Sequence, residues 1–78
     1  MRADICDPGD AEALARLKVA LSELGAVHRE THQSSLGVDL QTFAVGGDEL
    51  RVYIDNWSID VEGPEAVVQA ILAILSPA

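Results

Sequence analysis

Apolar positions along this chain switch between two periods, and the switches mark its elements. In "DPGDAEALARLKVALSELG", Leu14, Leu17, Leu21 and Leu24 step by three and four. That spacing puts one apolar stripe opposite Glu12, Arg16 and Glu23, as an amphipathic helix requires. Asp7 can cap the first turn, Pro8 suits the first helical position, and Gly25 can close the end. The last segment, "GPEAVVQAILAILSPA", predicts a second helix opened by Pro64, with Glu65 complementing its dipole. Val67, Val68, Ile71, Leu72, Ile74 and Leu75 cover a wide arc of it, and Ala66, Ala70 and Ala73 fill most of the rest. Only Glu65, Gln69 and Ser76 form a polar stripe, so such a helix needs cover on more than one side.

Between the helices the period falls to two. "AVHRETHQ" is weakly strand-like, and "LGVDLQTFAVGGDELRV" predicts two strands joined at Gly46-Gly47, where positive φ is cheap. Leu36, Val38 and Leu40 alternate on one parity, whereas Phe43 and Val45 fall on the other. An irregularity near Gln41 and Thr42 is the expected remedy. In "LRVYIDNWSIDVEGPE", a two-residue turn at Asp55-Asn56 would face Ile54 with Trp57, Val52 with Ile59 and Leu50 with Val61. All six are apolar and share one face, which reads Trp57 as core. The other face would pair Tyr53 with Ser58 and Arg51 with Asp60, the latter as an ion pair.

The expected fold is α+β, a two-layer sandwich in the order helix, antiparallel meander of three to four strands, helix. Both helices would lie on one sheet face. The helix–three strands–helix order resembles double-stranded-RNA-binding domains in topology, though no motif matches. Those domains hold phosphates with basic residues where the second helix begins. Here that position reads "EGPEAVVQA", so no RNA-binding residue carries over.

Composition narrows the functions. The 78 residues make one small domain, and 13 acidic against five basic residues give a formal net charge of -8. That balance disfavours phosphate backbones and anionic membranes and favours a basic partner. A hydrophobic fraction of 49% suits a folded domain rather than an acidic tail. No apolar run approaches the roughly 20 residues needed to span a bilayer. The start, "MRADICDPGD", lacks a signal-peptide pattern, so a soluble cytoplasmic protein is expected. Cys6 is the single cysteine and cannot form an internal disulfide. A chain this short gains from a partner subunit.

Candidate chemistry is sparse. In "HRETH", His28, Glu30 and His32 would share one strand face. His28 and His32 would then sit ~13 Å apart at about 3.3 Å per residue, too far for one metal ion. A solvated edge strand is the better reading. Asp4, Asp7 and Asp10 oppose a reactive thiolate at Cys6, which reads as a small, partly buried apolar residue. Ser34 and Ser35 read as turn residues. Asp55, Asp60 and Glu62 alternate on a strand surface with no sign of a pocket, and Gly46-Gly47 lacks the context of a phosphate loop. The sequence assigns no catalytic residue, metal or cofactor.

Two functional readings follow. The first is a small acidic protein-binding module, an adaptor or neutralising partner of a basic protein, using the sheet face of Arg51, Tyr53, Asp55, Ser58, Asp60 and Glu62. The second is a structural homodimerisation domain using Val68, Leu72 and Leu75 of the last helix. A small-ligand pocket beside Trp57 is a third possibility.

Overall fold

A computed structural model of the chain describes residues 1–33 and 37–75. Ser34, Ser35, Leu36 and Ser76 lie outside the described residues. The elements run β1 (Arg2–Cys6), α1 (Ala11–Glu23), β2 (Val27–Gln33), β3 (Asp39–Val45), β4 (Asp48–Ile54), β5 (Ile59–Glu62) and α2 (Glu65–Leu75). The five strands form one antiparallel sheet in the order β1-β5-β4-β3-β2. The fold is α+β.

The expected meander is there from β2 to β5, but β1 is an addition that precedes the first helix. "RADIC" alternates, and Ala3 and Ile5 pack against the core while β1 pairs with β5 at the far edge of the sheet. With a strand ahead of α1 and four strands after it, the topological likeness to double-stranded-RNA-binding domains lapses.

Helix α1 starts one turn later than Asp7 and Pro8 suggest. Asp10 is its cap: its carboxylate accepts from the Ala13 N–H at 3.0 Å, while the Asp7 carbonyl accepts from the Asp10 N–H in the preceding turn. The helix ends as expected. Gly25, at φ +70°, donates its N–H to the Ser22 carbonyl, and Ala26 donates to that of Leu21. This 6→1 and 5→2 pair satisfies the last carbonyls as a Schellman motif.

One cluster forms the core. It joins Leu17, Ala20 and Leu21 of α1 and Val68 and Ile71 of α2 to the alternating Leu50, Val52, Ile59 and Val61 of β4 and β5. Helix α2 packs on α1 and on β1, which accounts for its wide apolar arc. Val68 is 0% exposed within this core and so is not free to meet a second copy. Leu72 and Leu75 are half-buried against the same cluster, and Ile74 is the large apolar residue that α2 leaves exposed.

Two registers differ from expectation. Strand β3 pairs with β4 without interruption from Asp39 to Val45, so no irregularity falls at Gln41 and Thr42. The mixed parity is resolved by splitting the residues: Phe43 and Val45 pack against the core, and Leu40 joins Tyr53 on the other face. The bulges fall instead in β1, between Asp4 and Cys6, and in β2, between His28 and Glu30. The Gly46-Gly47 turn holds: Val45 pairs with Asp48, and Gly46 takes φ +62°.

The β4–β5 hairpin is shifted by two residues. Ile54 pairs with Ile59, Val52 with Val61, Tyr53 with Asp60 and Arg51 with Glu62. A shift of two preserves parity, so Leu50, Val52, Ile59 and Val61 remain buried. Trp57 does not. It moves from the core into the loop and is 82% exposed.

Candidate functional site

The loop that carries Trp57 is built by one carboxylate. Asp55 Oδ1 accepts from the backbone N–H groups of Trp57 and Ser58, both at 2.7 Å, and the Asp55 N–H donates to the Ser58 carbonyl at 3.1 Å. An aspartate that folds back on its own chain is a turn in itself, and it displaces the tighter two-residue turn. Those two hydrogen bonds favour the ionised form and hold Asp55 below its ordinary carboxylate value, the Ser58 bond contributing most. The indole therefore stands in water on an ordered support.

Beside this loop lies the sheet face opposite the core. The face carries a connected polar network. Tyr53 donates its hydroxyl to Glu62 Oε1 at 3.2 Å, and the Arg51 guanidinium lies 3.6 Å from the same carboxylate and 3.0 Å from that of Glu49. Its hydrogen bond to Glu49 holds Arg51 above its ordinary value. Ser58 donates its hydroxyl to Asp60 Oδ1 at 3.1 Å. The expected Arg51–Asp60 pair is replaced by Arg51–Glu62, as the shifted register requires.

Asp60 pairs instead with Arg2, a residue sequence reasoning did not select. Arg2 Nε and Nη2 reach Asp60 Oδ2 at 3.1 and 2.9 Å, and the guanidinium lies 4.5 Å from the centre of the Tyr53 ring. The strand pairing of Arg2 with Glu62 brings it there. All six residues of the expected face, Arg51, Tyr53, Asp55, Ser58, Asp60 and Glu62, thus meet in one surface with Arg2 added. Exposed ion pairs of this kind contribute little to stability, so their arrangement sets shape and charge more than fold energy.

The other candidates are placed apart. Strand β2 is an edge strand and is exposed along its whole length. Its bulge turns His28 away from Glu30 and His32, so the three do not share a face. His28 packs edge-on to Phe43 at 5.4 Å, with Nε2 2.7 Å from Thr31 Oγ1. Among the described residues no three His, Cys, Asp or Glu side chains converge as metal ligands. Burial first, then Asp10, Asp7 and Asp4, push the Cys6 thiol up, away from the reactive thiolate. No helix among the described residues is long and apolar enough to cross a membrane.

A groove of about 520 Å³ opens between α1 and strands β2, β3 and β4, lined chiefly by Leu14, Leu21, Phe43, Val52 and Ile54. Trp57 is not part of its lining, so the pocket and the indole are separate features.

No protein-family model, curated protein or solved structure matches this chain.

Proposed function

We propose that this chain is a non-catalytic protein-binding module that docks a basic protein through the open sheet face and the Trp57 loop. The observation that carries the reading is an indole 82% exposed on a loop ordered by Asp55. Tryptophan is among the strongest interface anchors when a partner covers it, and a pre-ordered loop loses little entropy on binding. On this face Glu49, Asp55, Asp60 and Glu62 outnumber the two guanidiniums of Arg2 and Arg51 that pair with them, within a chain of net charge -8. Carboxylates at the rim steer a basic partner and weaken with salt. The reading takes both helices to lie on a single sheet face, supported by their common core with alternate residues of β4 and β5. It assigns the module to the cytoplasm, in keeping with a single free cysteine.

The test is capture of basic proteins from a lysate at low and moderate salt, followed by binding assays on the purified partner. The expected result is retention at low salt, loss with added salt, and loss in Trp57→Ala while the variant stays folded. Equal capture by wild type and Trp57→Ala would sink the proposal.

A second reading, self-association, rests on a different observation. Val19 of α1 and Ile74 of α2 are exposed and line one shallow cleft with Ala15. This patch would replace Val68, Leu72 and Leu75 as the dimer surface. Sedimentation over a wide dilution range tests it: Val19→Glu with Ile74→Glu should convert a dimer into a folded monomer. A wild-type chain that is monomeric at every concentration removes this reading.

A further inference from the structure

We infer that the groove between α1 and strands β2–β4 is a binding site for a small amphipathic acid, an apolar body bearing one carboxylate. Its volume of about 520 Å³ is that of a small-molecule site. Leu14, Leu21, Phe43, Val52 and Ile54 give it an apolar floor and walls. The decisive feature is charge. The chain has 13 acidic residues, yet none lines the groove, and its single lysine, Lys18, does.

Lys18 differs from three of the four arginines and resembles Arg29, which also makes no ion pair among the described residues. Arg2, Arg16 and Arg51 each hold a carboxylate, Arg16 that of Glu12 one turn back on the same helix. Among the described residues Lys18 makes no ion pair. A cation beside an apolar cavity, paired with no carboxylate among the described residues, complements a ligand that brings its own. Ser22 and Gln41, also in the lining, add uncharged donors for the second carboxylate oxygen. Lys18 is exposed and lines the groove, an arrangement in which the alkyl stem can cover apolar wall while the ammonium stays in water, where a headgroup would sit.

The site is independent of the protein-binding face. Val52 and Ile54 alternate with Arg51 and Tyr53 along β4, so groove and open face lie on opposite sides of the sheet. Failure of one proposal leaves the other standing.

The test uses the full chain and three probes of equal length below their micellar concentrations: decanoate, decanol and decyltrimethylammonium. Backbone amide NMR titrations should show saturable shifts at Leu14, Leu21, Phe43 and Ile54 with decanoate. Decanoate should bind about tenfold more tightly than decanol, the size of one charge-assisted hydrogen bond. Lys18→Gln should remove that preference and Lys18→Arg restore it, with the fold checked by each spectrum. The inference fails if decanol binds as well as decanoate, if Lys18→Gln changes nothing, or if the shifts map elsewhere. It fails equally if a second copy fills the groove and decanoate does not displace it.

Discussion

The two halves of the sheet are made from similar residues and end in different environments. In β4 and β5, Leu50, Val52, Ile59 and Val61 are all 3% exposed or less. In β3 every residue is half-buried, and in β2 every residue is exposed. The helices account for the contrast: Leu17, Ala20, Leu21, Val68 and Ile71 share one core cluster with β4 and β5, and no residue of β2 among the described residues belongs to it. Under helix cover, alternation sorts residues cleanly into inside and outside. Away from it, both faces are partly wet, and Phe43 and Leu40 can occupy opposite faces of one strand without a large penalty on either. The mixed parity of β3 is thus the mark of a half-covered strand rather than of a bulge.

The largest expected effect is a direct test of that contrast. Leu50→Ala removes a side chain with no exposure and leaves a sealed cavity, at a cost of about 2–5 kcal/mol. Phe43→Ala removes a bigger side chain, but one that borders the groove, so the vacated space opens to water. Without a cavity contribution and with only half the ring's burial, roughly 1–1.5 kcal/mol is expected. Denaturant unfolding of both variants decides it. A Phe43→Ala cost equal to that of Leu50→Ala would mean that the β2–β3 half is covered in solution.

What could be read in the sequence follows the same division. The leucine stripe of α1, the Gly25 terminator, the Gly46-Gly47 turn and the parity of β4 and β5 all rest on local rules, and they hold. The misplacements came where a local rule had a competitor. The Asp55 side chain competed with the two-residue turn and moved the register by two, a slip that parity cannot detect because it keeps every face. Asp10 takes the helix cap expected of Asp7, because its carboxylate accepts from the Ala13 N–H. Arg2 was invisible for another reason: its partner Asp60 is 58 residues away, and only the closing of β1 on β5 brings them together. The residues of the open face other than Arg2 were therefore legible from alternation, and their cross-strand partners were not.

The loop at the tip of the covered half offers a smaller effect with a defined sign. Asp55 is held below its ordinary carboxylate value, so the unfolded chain binds its proton at a higher pH than the folded chain does. Its stabilising contribution is complete above the unfolded value of about 3.9 and is lost as the pH falls through the lower folded value. Asp55→Asn keeps an oxygen that can accept the Trp57 and Ser58 N–H bonds but cannot titrate. Between pH 7 and pH 3 the wild type should therefore lose more thermal stability than Asp55→Asn. Equal losses would show that the carboxylate does not latch the loop in solution.

The smallest expected effect on stability is the one that a core reading of Trp57 would make the largest. A buried indole replaced by alanine costs about 3–5 kcal/mol. Here the ring is 82% exposed, and the loop is held through backbone N–H groups that Trp57→Ala retains. The variant should therefore unfold within about 0.5 kcal/mol of wild type, as surface substitutions do. The wild-type fluorescence should also have the red-shifted emission of an indole in water and be readily quenched by iodide. A costly Trp57→Ala with blue-shifted, protected emission would restore the tighter register and return the indole to the core. It would also remove the anchor from the open face. Because stability and partner capture depend on different surroundings of the same ring, a near-neutral fold combined with lost capture is the result that separates an interface residue from a packing residue.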